Sequence, residues 1–170
     1  MAMNVANLVL RHAVVDDAEA LSRFMNALAD EKLDTISGSR FSPEEEQEFI
    51  EKAAKNGRAF FFIALNAHEV IGVLDLWAGD KPHNRHVGRL GTSVLAAHRR
   101  KGIGRKLLER AIDEARKWPG FCRIELEVVP WNTPAIRLYE SVGFVREGTK
   151  RKGAVLGGKA IDLIQMALVW

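Results

Sequence analysis

Three consecutive cations, Arg99, Arg100 and Lys101, run into Gly102-Ile103-Gly104. The segment before them is apolar and ends in Ser93-Val94-Leu95. After them Ile103, Leu107, Leu108, Ala111, Ile112, Ala115 and Trp118 recur at helical spacing. A glycine pair thus sits where a strand hands over to a helix, and that helix opens with two more cations, Arg105 and Lys106. Cations are misplaced there, because the exposed N–H groups and the dipole of a helix N-terminus already carry partial positive charge. A bound anion reverses the argument: glycine lets backbone come close, and the free N–H groups point at a phosphate. Two common phosphate loops do not fit. A Walker loop needs Gly-Lys-Ser/Thr, and the dinucleotide fingerprint needs a small residue where Leu107 stands.

A second group of chemically able residues follows. Residues 121–129 alternate, with Ile124, Leu126 and Val128 on one face and Glu125 and Glu127 on the other. Pro130 ends that strand. A short helix over 133–142 then starts at an Asn132 or Thr133 cap and carries Tyr139. A right-handed crossover through the helix at 103–118 makes the strands at 87–95 and 121–129 parallel and near neighbours. Ligands bind at the carboxyl ends of such strands. Glu127, Asn132 and Tyr139 are therefore expected to converge on the glycine turn.

The remaining elements must hold that arrangement. Residues 7–13 form a first strand, and Asp16-x-x-Glu19 starts a helix with Ala18, Leu21, Phe24, Met25 and Leu28 on one face. That helix fades near Asp30, and residues 32–41 make a loop. Ser42-Pro43-Glu44-Glu45 opens a second helix that stops at Asn56-Gly57. The period then changes. Residues 59–65 are an apolar strand, Asn66 to Glu69 turn the chain, and 70–78 return as a hairpin partner. A polar loop over 79–86 leads into the strand at 87–95. Beyond Phe144 comes another strand. Residues 147–159, with three glycines and Lys150-Arg151-Lys152, predict a flexible basic hairpin loop before a last strand at 160–169. The order β-α-α-β-β-β-α-β-α-β-β predicts an α/β fold with a central mixed sheet and helices on both faces, as one domain over residues 1–170.

Composition bounds the function. Apolar residues at 47% and charged residues at 28% belong to an ordinary globular domain, and a net charge of +3 does not call for nucleic acid. A single cysteine, Cys122, excludes an internal disulfide and reads as an inert thiol in a reducing compartment. No apolar run approaches the length of a membrane span, and no signal pattern opens the chain, so a cytoplasmic protein without membrane attachment is expected. No metal cluster is evident, and His12 reads as structural.

Two segments together resemble the GCN5-related N-acetyltransferases (GNAT). Arg99, Gly102 and Gly104 fill the pattern Arg/Gln-x-x-Gly-x-Gly/Ala of that family's pyrophosphate loop. Asn132-x-x-Ala135-x-x-Leu138-Tyr139-Glu140-x-x-Gly143-Phe144, which begins 30 residues after Gly102, is similar to its second signature. The strand with Arg11 and the Asp-led helix also resemble the family's opening, so the likeness spans residues 8–168. It implies acetyl-CoA as cosubstrate and no metal. Backbone N–H groups of Arg100, Lys101, Gly102, Ile103, Gly104 and Arg105 would hold the pyrophosphate. Thr92, Ser93 and Val94 would pair with the pantetheine arm, Asn132 would hydrogen-bond it, and an N–H near Val94 would receive the oxyanion. Tyr139 is the family-matched acid for the departing thiolate. Glu127 resembles the catalytic glutamate of the branch that acetylates ribosomal-protein N-termini, with a water chain as the alternative base. The tail Gly148-Thr149-Lys150-Arg151 resembles branches acting on free amino acids, polyamine-like amines or N-termini. The acceptor would be a small-molecule or peptide amine, bound among the loop at 29–41, Leu74–Trp77 and the loop at 147–159, where Asp30, Glu31, Asp34 and Asp75 supply acids. A homodimer is compatible with this reading. A non-catalytic acyl-CoA-binding module, or a ribosome- or RNA-associated one, are the competing classes.

Overall fold

The computed structural model describes residues 8–31 and 39–170. Seven strands form one sheet: β1 (Leu8–His12), β2 (Ala59–Asn66), β3 (Glu69–Ala78), β4 (Val87–Val94), β5 (Arg123–Val128), β6 (Val145–Leu156) and β7 (Lys159–Val169). Their order is β1-β2-β3-β4-β5-β7-β6. All neighbours are antiparallel except β4 and β5, the pair joined by the helical crossover. Among the described residues four α-helices cover the sheet: α1 (Ala18–Asp30), α2 (Pro43–Lys55), α3 (Ile103–Ala115) and α4 (Thr133–Ser141).

The apolar run in β2 shows why helices lie on both faces. Phe60, Phe62 and Ala64 pack into one core with the buried faces of α3 and α4. Phe61, Ile63 and Leu65 pack into a second core with α1 and α2. A strand buried on both faces needs no polar alternation, and β2 has none. β5 has one, because its apolar residues enter the α3/α4 core while Glu125 and Glu127 turn to the opposite face.

Helix ends follow local chemistry. At α2 the Ser42 hydroxyl accepts the Glu45 N–H at 3.3 Å and the Glu45 carboxylate accepts the Ser42 N–H at 2.8 Å, a capping box with three acids in the first turn. α3 ends at Ala115 rather than 118, and the chain turns through Trp118 to Gly120 at φ +68°.

One expected element is different. Residues 147–159 are not a flexible loop: β6 continues to Leu156, and the turn to β7 is confined to Gly157 and Gly158. The chain bulges instead, since five residues of β6 from Lys150 to Ala154 oppose three of β7 from Leu163 to Ile161. Lys152 takes φ +52° in that bulge, and its N–H is held by Asp162 Oδ1 at 2.7 Å. Local composition points to a loop, whereas pairing with the apolar β7 holds the backbone extended. The lysines guard what is now an exposed sheet edge.

α2 also buries an acid. Glu46 is 4% exposed on the face that carries Ile50 and Ala53, and burial pushes its carboxyl up to about 7. A raised carboxyl favours the folded state below the unfolded pKa near 4.5, and that contribution fades as pH rises through about 7. Glu46→Gln is therefore expected to stabilise the protein at pH 8 by of order 2 kcal/mol and to flatten the stability profile between about pH 4.5 and 7. Thermal melts of both proteins across that range check it.

Candidate active site

α3 begins as the basic residues suggested. Its cap position is Gly102 in the left-handed region at φ +79°, no side chain caps the first N–H groups, and no acid lies in the first turn. Arg100 also takes a positive φ, +59°. Successive turns of this kind aim backbone N–H groups into one concavity, a nest suited to an anion. At Gly102 an added side chain would meet no atom within 4 Å but would be strained by the backbone. At Gly104 a Cβ would stand 2.9 Å from Leu138 Cδ2, so α3 and α4 meet closely there.

The nest opens into a cleft made by strand divergence. β4 and β5 pair only from Val87 to Arg89 and from Arg123 to Glu125. Beyond Arg89 they separate, and β4 runs on to Val94 bonded to β3 alone. A cavity of about 830 Å³ fills the gap. Its lining includes Thr92, Ser93 and Val94 of β4, then Arg99, Arg100 and Gly102 to Arg105 around the nest, then Glu127, Asn132 and Tyr139 from β5 and α4. Lys101 is the one predicted site residue outside that lining, and its ammonium donates to the Ala97 carbonyl at 2.7 Å.

Several of these side chains have partners that define what they can do. Thr92 Oγ1 donates to the Val73 carbonyl at 2.9 Å, which ties β4 to β3. Asn132 caps α4, its Oδ1 accepting the Ala135 N–H at 3.3 Å. Arg105 bonds Ser141 Oγ at 2.7 Å and Glu109 at 3.2 Å. Tyr139 is 8% exposed in the α3/α4 core, and burial pushes its phenol up to about 12. It is a phenol that keeps its proton. Glu127 lines the cleft and accepts the Lys150 ammonium at Oε1, 2.9 Å away. Glu125 pairs with Arg89 at 3.2 Å and Arg123 at 3.4 Å, and Arg123 also clasps Glu147. The two acids that β5 carries on one face thus each have their own cation.

Asp30, Glu31 and Asp75 are not among the residues that line the cleft. Asp30 pairs with Arg40. Asp75 points between the sheet and α1/α2 at Gly91, takes a hydrogen bond from Trp77, and is pushed up to about 6 by burial. Asp34 lies outside the described residues. Glu31 has a different task. Its carboxylate accepts the Ala96 N–H at 2.6 Å and pairs with the Arg99 guanidinium, whose Nε in turn donates to the Val94 carbonyl at 2.8 Å. The end of α1 is thereby tied to the nest and to the end of β4. Nothing in the local sequence signals this, because the partners are 65 and 68 residues apart. Gln165, which lines the cleft opposite Glu127 in the β5–β7 pairing, and Lys150, which bonds Glu127, have positions that only the sheet reveals.

The model of the Acetyltransferase (GNAT) family matches residues 22–144. The L-amino acid N-acetyltransferase AaaT of Escherichia coli (strain K12) is 30% identical over 97% of this chain and 99% of its own. This chain belongs to the GNAT family. Similarity to the ribosomal protein bS18 alanine N-acetyltransferase of Escherichia coli (strain K12) is higher, 49%, but covers 42% of this chain and 47% of that one. A GNAT acetyltransferase structure from Streptococcus pneumoniae superposes with a TM-score of 0.89, at 29% identity over 95% of this chain and 98% of that one. As a GNAT protein the chain is an N-acetyltransferase, and enzymes of this family use acetyl-CoA. The site fits that molecule on its own terms: a nest without acids suits a pyrophosphate, and the β4 edge that β5 abandons offers backbone groups to amides. Among the described residues no group of ligating side chains could hold a metal, and no helix is long and apolar enough to cross a membrane.

Proposed function

We propose that this GNAT chain transfers the acetyl group of acetyl-CoA to a primary amine, that of an amino acid or other small amine or of a protein N-terminus, by direct attack in a ternary complex. The observation that carries it is the single cleft that joins an uncapped glycine-rich helix N-terminus to a buried phenol and a carboxylate. In this reading the backbone of Arg100 to Arg105 binds the pyrophosphate, with Lys101 contributing its N–H. Thr92 to Val94 align the pantetheine arm, and Asn132 donates to it through its amide nitrogen. Arg99 holds the nest in shape through Glu31 and Val94. An N–H near Val94 receives charge on the thioester oxygen. Glu127 accepts the amine's proton, and Tyr139 gives one to the departing sulfur.

The similarity to an L-amino acid N-acetyltransferase along nearly the whole chain favours an amino acid acceptor. Arg89 and Arg123 line the cleft, and a substrate carboxylate there would compete with Glu125 and Glu147 for them. A screen of amino acids, polyamines and N-terminal peptides for acceptor-dependent thiol release from acetyl-CoA tests the function. Release with none of these classes would overturn it.

Glu127→Gln tests the base. The substitution keeps shape and polarity but cannot accept a proton. Activity should fall about 10²–10⁴-fold near neutral pH and recover partly at high pH, where neutral amine is abundant. Glu125→Gln, on the same face, is the control. Matching pH profiles for the two variants would transfer the proton to a water chain.

A further inference from the structure

Glu127 holds an amine of this chain's own. Lys150 belongs to β6, yet its ammonium lies 2.9 Å from Glu127 Oε1 on β5, with strand β7 between them. The register explains the reach. Glu127 stands opposite Gln165 and Lys150 opposite Leu163, so all four share the sheet face that β5 turns away from the α3/α4 core. The bulge begins at Lys150 itself, and bulges re-aim side chains beside active sites. Both partners are partly shielded, at 27% side-chain exposure for Glu127 and 45% for Lys150. An acceptor amine must come within hydrogen-bond reach of the base, and the Lys150 nitrogen already satisfies that condition.

We propose that Lys150 is a self-acetylation site, modified within its own chain. The inference rests on the acetyl-transfer reading above and on Glu127 as base. The Glu127 carboxylate takes a proton from the Lys150 ammonium. The neutral Nζ adds to the thioester carbonyl carbon of acetyl-CoA, a C–N bond forms and the C–S bond breaks. The nitrogen sheds two protons in all. One returns through Tyr139 to the leaving sulfur, and the other passes from Glu127 to solvent. The products are Nε-acetyl-Lys150 and CoA. The modified side chain is uncharged, so the ion pair with Glu127 is lost and an acetamide stands beside the base.

The test incubates the purified chain with acetyl-CoA and no acceptor, and follows each lysine by peptide mass mapping. Lys152 and Lys159, exposed in the same hairpin, report spontaneous chemical acetylation. Lys150 should gain acetyl at least about tenfold faster than either, as expected for general-base assistance. Its rate constant should not change with protein concentration and should collapse to the Lys152 rate in Glu127→Gln. Lys150→Arg keeps a cation beside Glu127 and should remove the fast phase. Acetylation of Lys150 no faster than Lys152, or at a rate proportional to protein concentration, would overturn the proposal. The acceptor screen run on the same sample separates the two failures: thiol release with an amine but no fast Lys150 modification sinks this inference and leaves the function standing, whereas loss of both sinks the function as well.

Discussion

Gly104→Asp should reduce acetyl-CoA affinity by at least about 100-fold, which corresponds to about 2.7 kcal/mol. Residue 104 is the second residue of α3, directly behind the Gly102 cap. A carboxylate there would occupy the nest proposed for the pyrophosphate and cancel the positive end of the helix dipole. The same features make the substitution gentle on the fold. Aspartate in a first helical turn is favourable, and it replaces a poor helix former. Its Cβ would press on Leu138 Cδ2 at 2.9 Å, but that methyl is the movable end of a side chain. The melting temperature should hold while binding is lost. Gly104→Ala carries the steric part without the charge and should bind with intermediate affinity. Titration calorimetry with acetyl-CoA decides the matter, and wild-type affinity for the aspartate variant would refute an anion site at the α3 N-terminus.

Tyr139→Phe should lower kcat by about 10–10⁴-fold with acetyl-CoA affinity nearly unchanged, the pattern of a lost proton donor. The phenol is suited to the task because burial keeps it protonated to about 12. Its ionisation should therefore produce no fall in kcat of the native enzyme below about pH 11. The ring packs 5.9 Å from Phe144 and would do so without its hydroxyl, so the variant should fold normally. A phenylalanine enzyme with native kcat would reduce Tyr139 to a packing residue.

Much of this site is local and could be read along the chain. The glycine turn, the cations behind it, the helical period of α3 and the Asn132-to-Phe144 spacing all lie within single elements or one element's reach. Short-range sterics and helix-end electrostatics act on neighbours in sequence, so residue order alone reveals them. The alternation of β5 likewise placed Glu125 and Glu127 on one face, and the structure agrees. The capping box at Ser42 and the double-faced burial of β2 are of the same kind.

Residue order alone determined the element sequence and the glycine turn, and the family resemblance pointed to the candidate pair Tyr139 and Glu127. The tertiary structure decided what those residues touch. Glu31 reads as a loop acid near the acceptor until the fold brings Arg99 and the Ala96 N–H against it. Residues 147–159 read as a loop because glycine and lysine disfavour strands locally, while the pairing that makes them β6 comes from β7. Lys150 meets Glu127 only because the sheet places β7 between β5 and β6 and a bulge starts at that residue. Each of these outcomes depends on strand register and on contacts between distant residues. A shift of one position in pairing would turn every such side chain to the other face, so the partners are properties of the assembled sheet and not of any segment within it.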